Sequence, residues 1–226
     1  VKLARMIGYT PKSARSARTT CNISVQTAFP YPKSVTMAAG LVLNFTGLDN
    51  NNFVFSIPTD VTQSVDSLTG IAAFNDTVLY EGLYLTDTFV KNTAERQRFI
   101  LTNERVDTTS MIVQVTSGTV TEKYLQATDI TKIDANSKVF FLEESEYQIP
   151  EILFGDGVVG KSLDNGDVVT VKYTTSAGIG ANGLKVFENI GTYRDNLGNA
   201  ITSGITISAV SFPDGGAEPE STEAIK

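Results

Sequence analysis

β-Branched residues dominate this sequence, because Thr, Val and Ile make up about 29% of its 226 residues. Two heavy atoms on Cβ restrict χ1 and favour the extended backbone of a strand. Apolar residues at every second position would share one face of a strand, which is typical of half-buried strands. They are Phe53, Phe55 and Ile57 in one run and Met111, Val113 and Val115 in another. Further runs of strand length lie at residues 22–29, 139–142, 151–154, 167–173 and 201–210.

Turn-forming residues separate these runs. Asn165 and Gly166 both tolerate positive φ, which a type I′ turn requires at its two central positions, so this dipeptide predicts a hairpin. Residues 121–136 have room for a helical turn. The whole pattern predicts an all-β, mainly antiparallel protein of sandwich-like modules. Gly, Pro, Asn and Asp clusters mark turns at residues 30–32, 49–52, 155–157, 164–166 and 195–198.

Short helical pieces are expected at both chain ends. Residues 1–7 resemble the last turns of a helix that stops at Gly8. Pro219 suits the first position of another helix, where Glu218, Glu220 and Glu223 would face the positive end of its dipole. We therefore expect an internal part of a longer protein.

The predicted organisation has four parts. They are the end of a helical region and linker at residues 1–20, a first β module at 21–120, a second β module at 121–212, and the start of a following domain at 213–226.

Charge and composition exclude several classes of protein. The net charge is −7, which argues against a nucleic-acid-binding protein, since such binding depends on clustered Lys and Arg. No apolar run reaches the roughly 18–20 residues of a membrane helix. The sequence contains no His and one Cys, so this chain cannot form a Ser-His-Asp triad or a His-ligated zinc site. Cys21 lies in a strand-like run and is predicted to be a small core residue.

The string GDGVVGKS at residues 155–162 satisfies the pattern of a phosphate-binding loop. Such a loop binds phosphate because it leads into a helix whose N-terminal amides hold the anion. Here a turn at Asn165 and Gly166 follows too closely for a helix. We predict a turn between strands, with no nucleotide, cofactor or metal. The predicted turn motif comprises Gly155, Asp156, Gly157, Gly160, Lys161, Asn165 and Gly166.

Two acidic groups are candidate sites. Asp156, Asp164 and Asp167 offer oxygens for calcium, but their spacing fits no EF-hand and Asp is common in turns. Glu143, Glu144 and Glu146 are candidates for the paired carboxylates of glycoside hydrolysis; a solvated bend between strands is the simpler interpretation. We predict no catalytic residue and no enzyme.

A basic segment stands out from the acidic chain. Lys12, Arg15 and Arg18 are separated by small residues, which permits close backbone approach and guanidinium–carboxylate pairing. The segment predicts an interface with an acidic partner or neighbouring domain, and a solvated linker is the alternative.

Three stretches together resemble one family. They are IGYTPKSARSA at residues 7–17, the run from EILFGDGVVGK to GIGANG at residues 151–183, and FPDGGAEPESTEAIK at residues 212–226. In this order they resemble the baseplate wedge proteins of T-even-type contractile-tailed phages and the wider Baseplate J-like family.

The resemblance implies a structural role in a virus tail. Members of that family form the inner ring around the tail hub, pair as two copies within a wedge, contact other wedge proteins, and move when the sheath contracts. They carry the glycine-rich string between strands without nucleotide. The implied location is the virion baseplate, assembled in the bacterial cytoplasm, with no nucleic-acid, membrane or small-molecule partner.

A second class of function remains open. A β-sandwich with Asp, Asn and Gly turns also suits a carbohydrate- or receptor-binding adhesion module of a tail fibre. That role predicts an exposed aromatic platform, and the sequence has no Trp.

Overall fold

The computed structural model describes residues 12–47, 50–92, 97–145 and 149–220. Strands dominate these ranges, and the helical segments within them are 3-10 turns at Thr108–Ser110, Ile130–Lys132 and Gly178–Ala181. The strands are β1 (Arg18–Gln26), β2 (Ser34–Met37), β3 (Gly40–Thr46), β4 (Asn52–Ile57), β5 (Val61–Ser64), β6 (Ile71–Glu81), β7 (Tyr84–Val90), β8 (Phe99–Ile100), β9 (Ile112–Ser117), β10 (Val120–Gln126), β11 (Val139–Glu144), β12 (Pro150–Phe154), β13 (Val168–Thr174), β14 (Val186–Asn189), β15 (Tyr193–Asp195), β16 (Ala200–Ile201) and β17 (Ile205–Asp214).

The chain folds into two compact units, each built from separate stretches of sequence, and it passes between them four times. Unit 1 comprises the described residues of Val1–Ala14, Leu85–Thr175 and Pro219–Lys226. Unit 2 comprises those of Arg15–Tyr84 and Ser176–Glu218. This partition differs from the consecutive modules predicted at 21–120 and 121–212. The physical reason is long-range pairing, because β1 lies between β6 and the distant β17.

Unit 2 contains a six-stranded sheet in the order β14-β3-β4-β6-β1-β17 and a four-stranded sheet in the order β16-β15-β2-β5. Cys21, Ile23 and Val25 alternate along β1 and are all buried. They join one core with Met37 of β2 and Tyr193 of β15. Both sheets therefore contribute to this core, as in a sandwich, and Cys21 is the core residue that the sequence predicts.

Unit 1 contains a seven-stranded sheet in the order β7-β13-β9-β10-β11-β12-β8. From β13 to β8 the neighbouring strands pair antiparallel, except for a short parallel contact between β10 and β11. Val169, Val171 and Tyr173 alternate along β13 and pack in a second core with Phe99 and Phe154. Each unit thus has its own apolar core.

The all-β, mainly antiparallel prediction is confirmed. The helical pieces expected at the chain ends are not confirmed. Glu218, Pro219 and Glu220 are not helical, and residues 1–11 and 221–226 lie outside the described residues. The interval 121–136 contains the rest of β10 and the 3-10 turn Ile130–Lys132. No helix within the described ranges is both long and apolar enough to cross a membrane.

Candidate functional site

The segment with the phosphate-loop pattern connects β12 to β13. Residues 161–167 form coil and a turn, and no helix begins at Lys161 or Ser162. Oδ1 of Asp156 accepts hydrogen bonds from the backbone N–H groups of Val158 and Val159, both at 2.9 Å. These are amides that a phosphate loop would offer to its anion. The segment instead uses them to close its own turn.

The two ends of this turn touch. A Cβ placed on Gly155 would lie 2.1 Å from the carbonyl oxygen of Gly160, so only glycine fits there. Gly157 and Gly160 have φ of +87° and +84°, the left-handed region that favours glycine. The backbone N–H of Gly160 donates to the carbonyl of Asp134 at 2.9 Å, which ties the turn to the connection before β11.

The lysine of the pattern faces a carboxylate. Its Nζ lies 3.4 Å from Oε2 of Glu122 on β10, and Nζ of Lys138 lies 2.6 Å from the other oxygen. These two ammonium groups, with the Lys138 hydrogen bond as the largest cause, lower the pKa of Glu122 below its ordinary value. Lys161 is therefore part of a surface charge cluster in unit 1.

The Asn165–Gly166 turn is present, but the hairpin prediction is wrong. Gly166 has a φ of +92°, whereas Asn165 is not among the residues with positive φ, so the type I′ turn does not form. The strands on either side, β12 and β13, are not neighbours in the sheet. The Gly166 N–H donates instead to the carbonyl of Lys91, just after β7.

The acidic groups serve local structure. The Asp167 carboxylate accepts from the N–H of Asp164 at 2.9 Å, and no group of three metal-binding side chains is found in the described ranges. Glu143 lies 3.7 Å from Arg98, which also pairs with the buried Glu151. Glu146 lies outside the described residues.

The three basic residues predicted to form an interface are all exposed, but they belong to different units. Lys12 is in unit 1, and its backbone exchanges hydrogen bonds with Glu220. Arg15 and Arg18 are in unit 2. Nε of Arg15 donates to the carbonyl of Gly215 at 2.7 Å, and the Arg18 guanidinium lies 5.5 Å from the centre of the Tyr80 ring. Arg15 and Arg18 thus already have intrachain contacts.

Parts of all three family-like stretches meet in unit 2. We call this set, Arg15 with residues 176–182 and 215–218, the junction. Arg15 and Ala217 exchange two backbone hydrogen bonds of 2.9 Å, and Oγ of Ser176 donates to the Arg15 carbonyl at 2.7 Å. The side chain of Asn182 donates to and accepts from the backbone of Gly216, both at 2.9 Å.

Small residues are required inside the junction. A Cβ on Gly216 would lie 2.3 Å from the carbonyl oxygen of Gly178. Beside them, the carboxylate of the buried Glu81 accepts from the N–H of Ala177 at 3.2 Å. Sequence reasoning singled out the stretches but missed their convergence and the role of Glu81. No local pattern reports contacts that span 161 residues, as between Arg15 and Ser176, or 96 residues, as between Glu81 and Ala177.

One aromatic side chain is strongly exposed in unit 2. Phe29 is 84% exposed and packs edge-on against Tyr31, with ring centres 5.6 Å apart. Tyr31 borders a groove of about 500 Å³. The Asp195 carboxylate on that groove closes a loop, because it accepts hydrogen bonds from the N–H groups of Leu197 and Asn199.

No protein-family model matches this chain, and no curated protein sequence shows significant similarity to it.

Proposed function

We propose that this chain is a structural component of a contractile-tail baseplate, a wedge protein of the inner ring that transmits conformational change on sheath contraction. It acts without catalysis. Its partners are other copies of itself and other wedge and hub proteins, and its location is the virion. It needs no nucleic acid, membrane, cofactor or small-molecule substrate.

The junction is the observation that supports this proposal. The resemblance depends on three stretches that are far apart in the sequence, and residues from each of them contact one another around Arg15, Asn182 and Gly216. Unrelated strings that matched a family by chance would have no reason to fold together. Their contacts therefore favour the interpretation that this chain and the family share a structural unit.

The contacts within residues 155–162 support the proposal that this chain acts without catalysis. A nucleotide would need the amides of Val158 and Val159 and the charge of Lys161. The amides already bind Asp156, and Lys161 faces Glu122. Binding would require breaking these contacts without a helix dipole to compensate.

Immunogold electron microscopy tests the proposal. Antibodies against the purified chain are applied to contractile-tailed particles released from cells that carry its gene. We expect label at the end of the tail distal to the head. Label at the head, along the sheath or on the fibres, or no label on particles that contain the other tail proteins, would contradict the proposal.

A carbohydrate-binding role has one observation in its favour, the exposed ring of Phe29 beside Tyr31, since aromatic faces and edges are common platforms for ligands with apolar surfaces. A glycan array distinguishes the two functions. Specific signals that disappear in a Phe29→Ala variant would favour adhesion over the baseplate role.

A further inference from the structure

Sheet edges expose unpaired backbone groups, and natural proteins usually protect them. Four edges in the described structure are very short, because β5, β8, β14 and β16 have two to four residues each. A fifth edge, β7, carries the inward-pointing Asp87, which is only 9% exposed. Short length and inward-pointing charge are two of the usual protective devices.

The sixth edge, β17, lacks these devices. It is ten residues long and is paired on one side only, with β1. Residues 205–212 contain no charged residue and no proline. Within the described part of the chain, no hydrogen bond joins Ile205–Ala209 to a group on the side away from β1. Alternate N–H and C=O groups of this segment therefore face outward.

The free edge is open to solvent and regular over five residues. Pairing between β1 and β17 is in register from Ile205 to Ala209 and becomes irregular beyond that point. Thr206 and Ser208 are exposed on the outer face of the sheet, and Val210 is 54% exposed. A partner strand therefore has a straight template of five residues.

We propose that a second copy of this chain pairs its β17 with this edge, antiparallel about a two-fold axis at Ile207. With the axis at Ile207, each of residues 205–209 in one copy lies opposite one of residues 205–209 in the other copy. Thr206 then faces Ser208 of the other copy on the outer face, and Ile205 faces Ala209 on the inner face. Antiparallel pairs of β-branched and small residues are compatible, and a two-fold axis closes the assembly.

The absence of charge on this strand permits a second copy to pair with it. The chain carries a net charge of −7, so most self-contacts would bring like charges together. The uncharged strand at residues 205–212 lets two copies meet without that repulsion. Pairing would join two six-stranded sheets into one sheet of twelve strands. This inference rests on the self-association named in the proposed function and assigns that contact to the free edge of β17.

Light scattering after size-exclusion chromatography tests the pairing on the full chain. The wild type is expected at twice the monomer mass of 24.3 kDa. In the variant Thr206→Lys/Ser208→Lys, each lysine faces a lysine of the other copy, so dimer affinity should fall by about tenfold or more. In the matched control Thr206→Lys/Ser208→Glu, each lysine faces a glutamate and the dimer should persist.

Both substituted positions are exposed, and circular dichroism melting of each variant verifies folding. A wild type that elutes at 24.3 kDa at its highest soluble concentration overturns the proposal. A dimer weakened equally in both variants also overturns it, since charge pairing across the axis would then be irrelevant. Neither outcome bears on the immunogold result.

Discussion

Nζ of Lys161 lies 3.4 Å from Oε2 of Glu122, so the lysine that a phosphate loop would direct at a nucleotide faces a carboxylate. Lys138 binds the other oxygen of the same carboxylate. Together they form a surface charge cluster next to a strand, which is a common arrangement for Lys and Glu in a β-sheet.

The first prediction concerns nucleotide binding. Isothermal titration of the chain with Mg-ATP should give no heat beyond dilution, because Asp156 occupies the amides and Glu122 faces the lysine. A Lys161→Ala variant should behave identically. Micromolar affinity in the wild type that is lost in the variant would show that the segment is a nucleotide site after all.

The second prediction concerns Gly155. A Gly155→Ala substitution should lower the free energy of unfolding by about 1–3 kcal/mol. The new Cβ would collide with the carbonyl of Gly160, which is a backbone group and cannot move aside as a flexible side chain would. Urea denaturation measures the change. Ser162→Ala, at an exposed position of the same segment, is the control and should change stability by about 0.5 kcal/mol or less.

The third prediction concerns the buried carboxylate of Asp87. It accepts hydrogen bonds from the hydroxyl of Tyr173 at 2.9 Å and from the backbone and hydroxyl of Thr102, both at 2.8 Å. Asp87→Ala leaves these donors unpaired and should cost about 2–4 kcal/mol. Tyr173→Phe removes the hydrogen bond to Asp87 and the one that the hydroxyl accepts from the Asn103 side chain at 2.7 Å, and should cost about 2 kcal/mol.

A double-mutant cycle checks whether the two groups act together. If Asp87 and Tyr173 are coupled as the distance implies, the double variant should lose less stability than the sum of the single losses. Strict additivity would mean that this hydrogen bond contributes nothing to the folded state.

The fourth prediction concerns alkaline pH. Burial raises the pKa of the Cys21 thiol from 9.0 to about 11. The folded chain therefore favours the protonated thiol, and this contribution is complete below pH 9 and lost as the pH rises toward 11. The stability difference between wild type and Cys21→Ala, measured by urea denaturation, should narrow over that interval.

Lysines and tyrosines also titrate at high pH, so the difference between the two proteins is the informative quantity. A gap that stays constant from pH 8 to pH 11 would mean that the thiol ionises as readily in the folded chain as in the unfolded one.

Strands with simple alternation were predictable, and strands with irregularities were not. Phe53, Phe55 and Ile57 lie at alternate positions of an apolar run, and all three fall within β4. β6 escaped prediction because its buried positions change parity, from Ala72 and Phe74 to Leu79 and Glu81. The change occurs at Asp76, whose φ of +49° marks a local irregularity. Because of one such residue, the eleven-residue strand β6 does not show a continuous period of two in its sequence.

The candidate site shows the same limit. A turn at residues 155–162 was predictable, since Asn165 and Gly166 follow too closely for a helix. The partner of the Asn165–Gly166 turn was not predictable, because the Gly166 N–H donates to the carbonyl of Lys91, some 75 positions away in the sequence. Contacts of that range depend on the whole sheet order, which local residue types do not encode.

The repeated passage of the chain between its units has a practical consequence for protein engineering. Truncating the chain at its ends cannot produce unit 2 alone, because residues 85–175 separate the two segments of that unit. Within unit 2, however, the Glu81 carboxylate binds the N–H of Ala177, so the two termini created by deleting the interruption start close together. A linker of a few flexible residues that joins Tyr84 to Ser176 should therefore yield unit 2 as an independently folded protein.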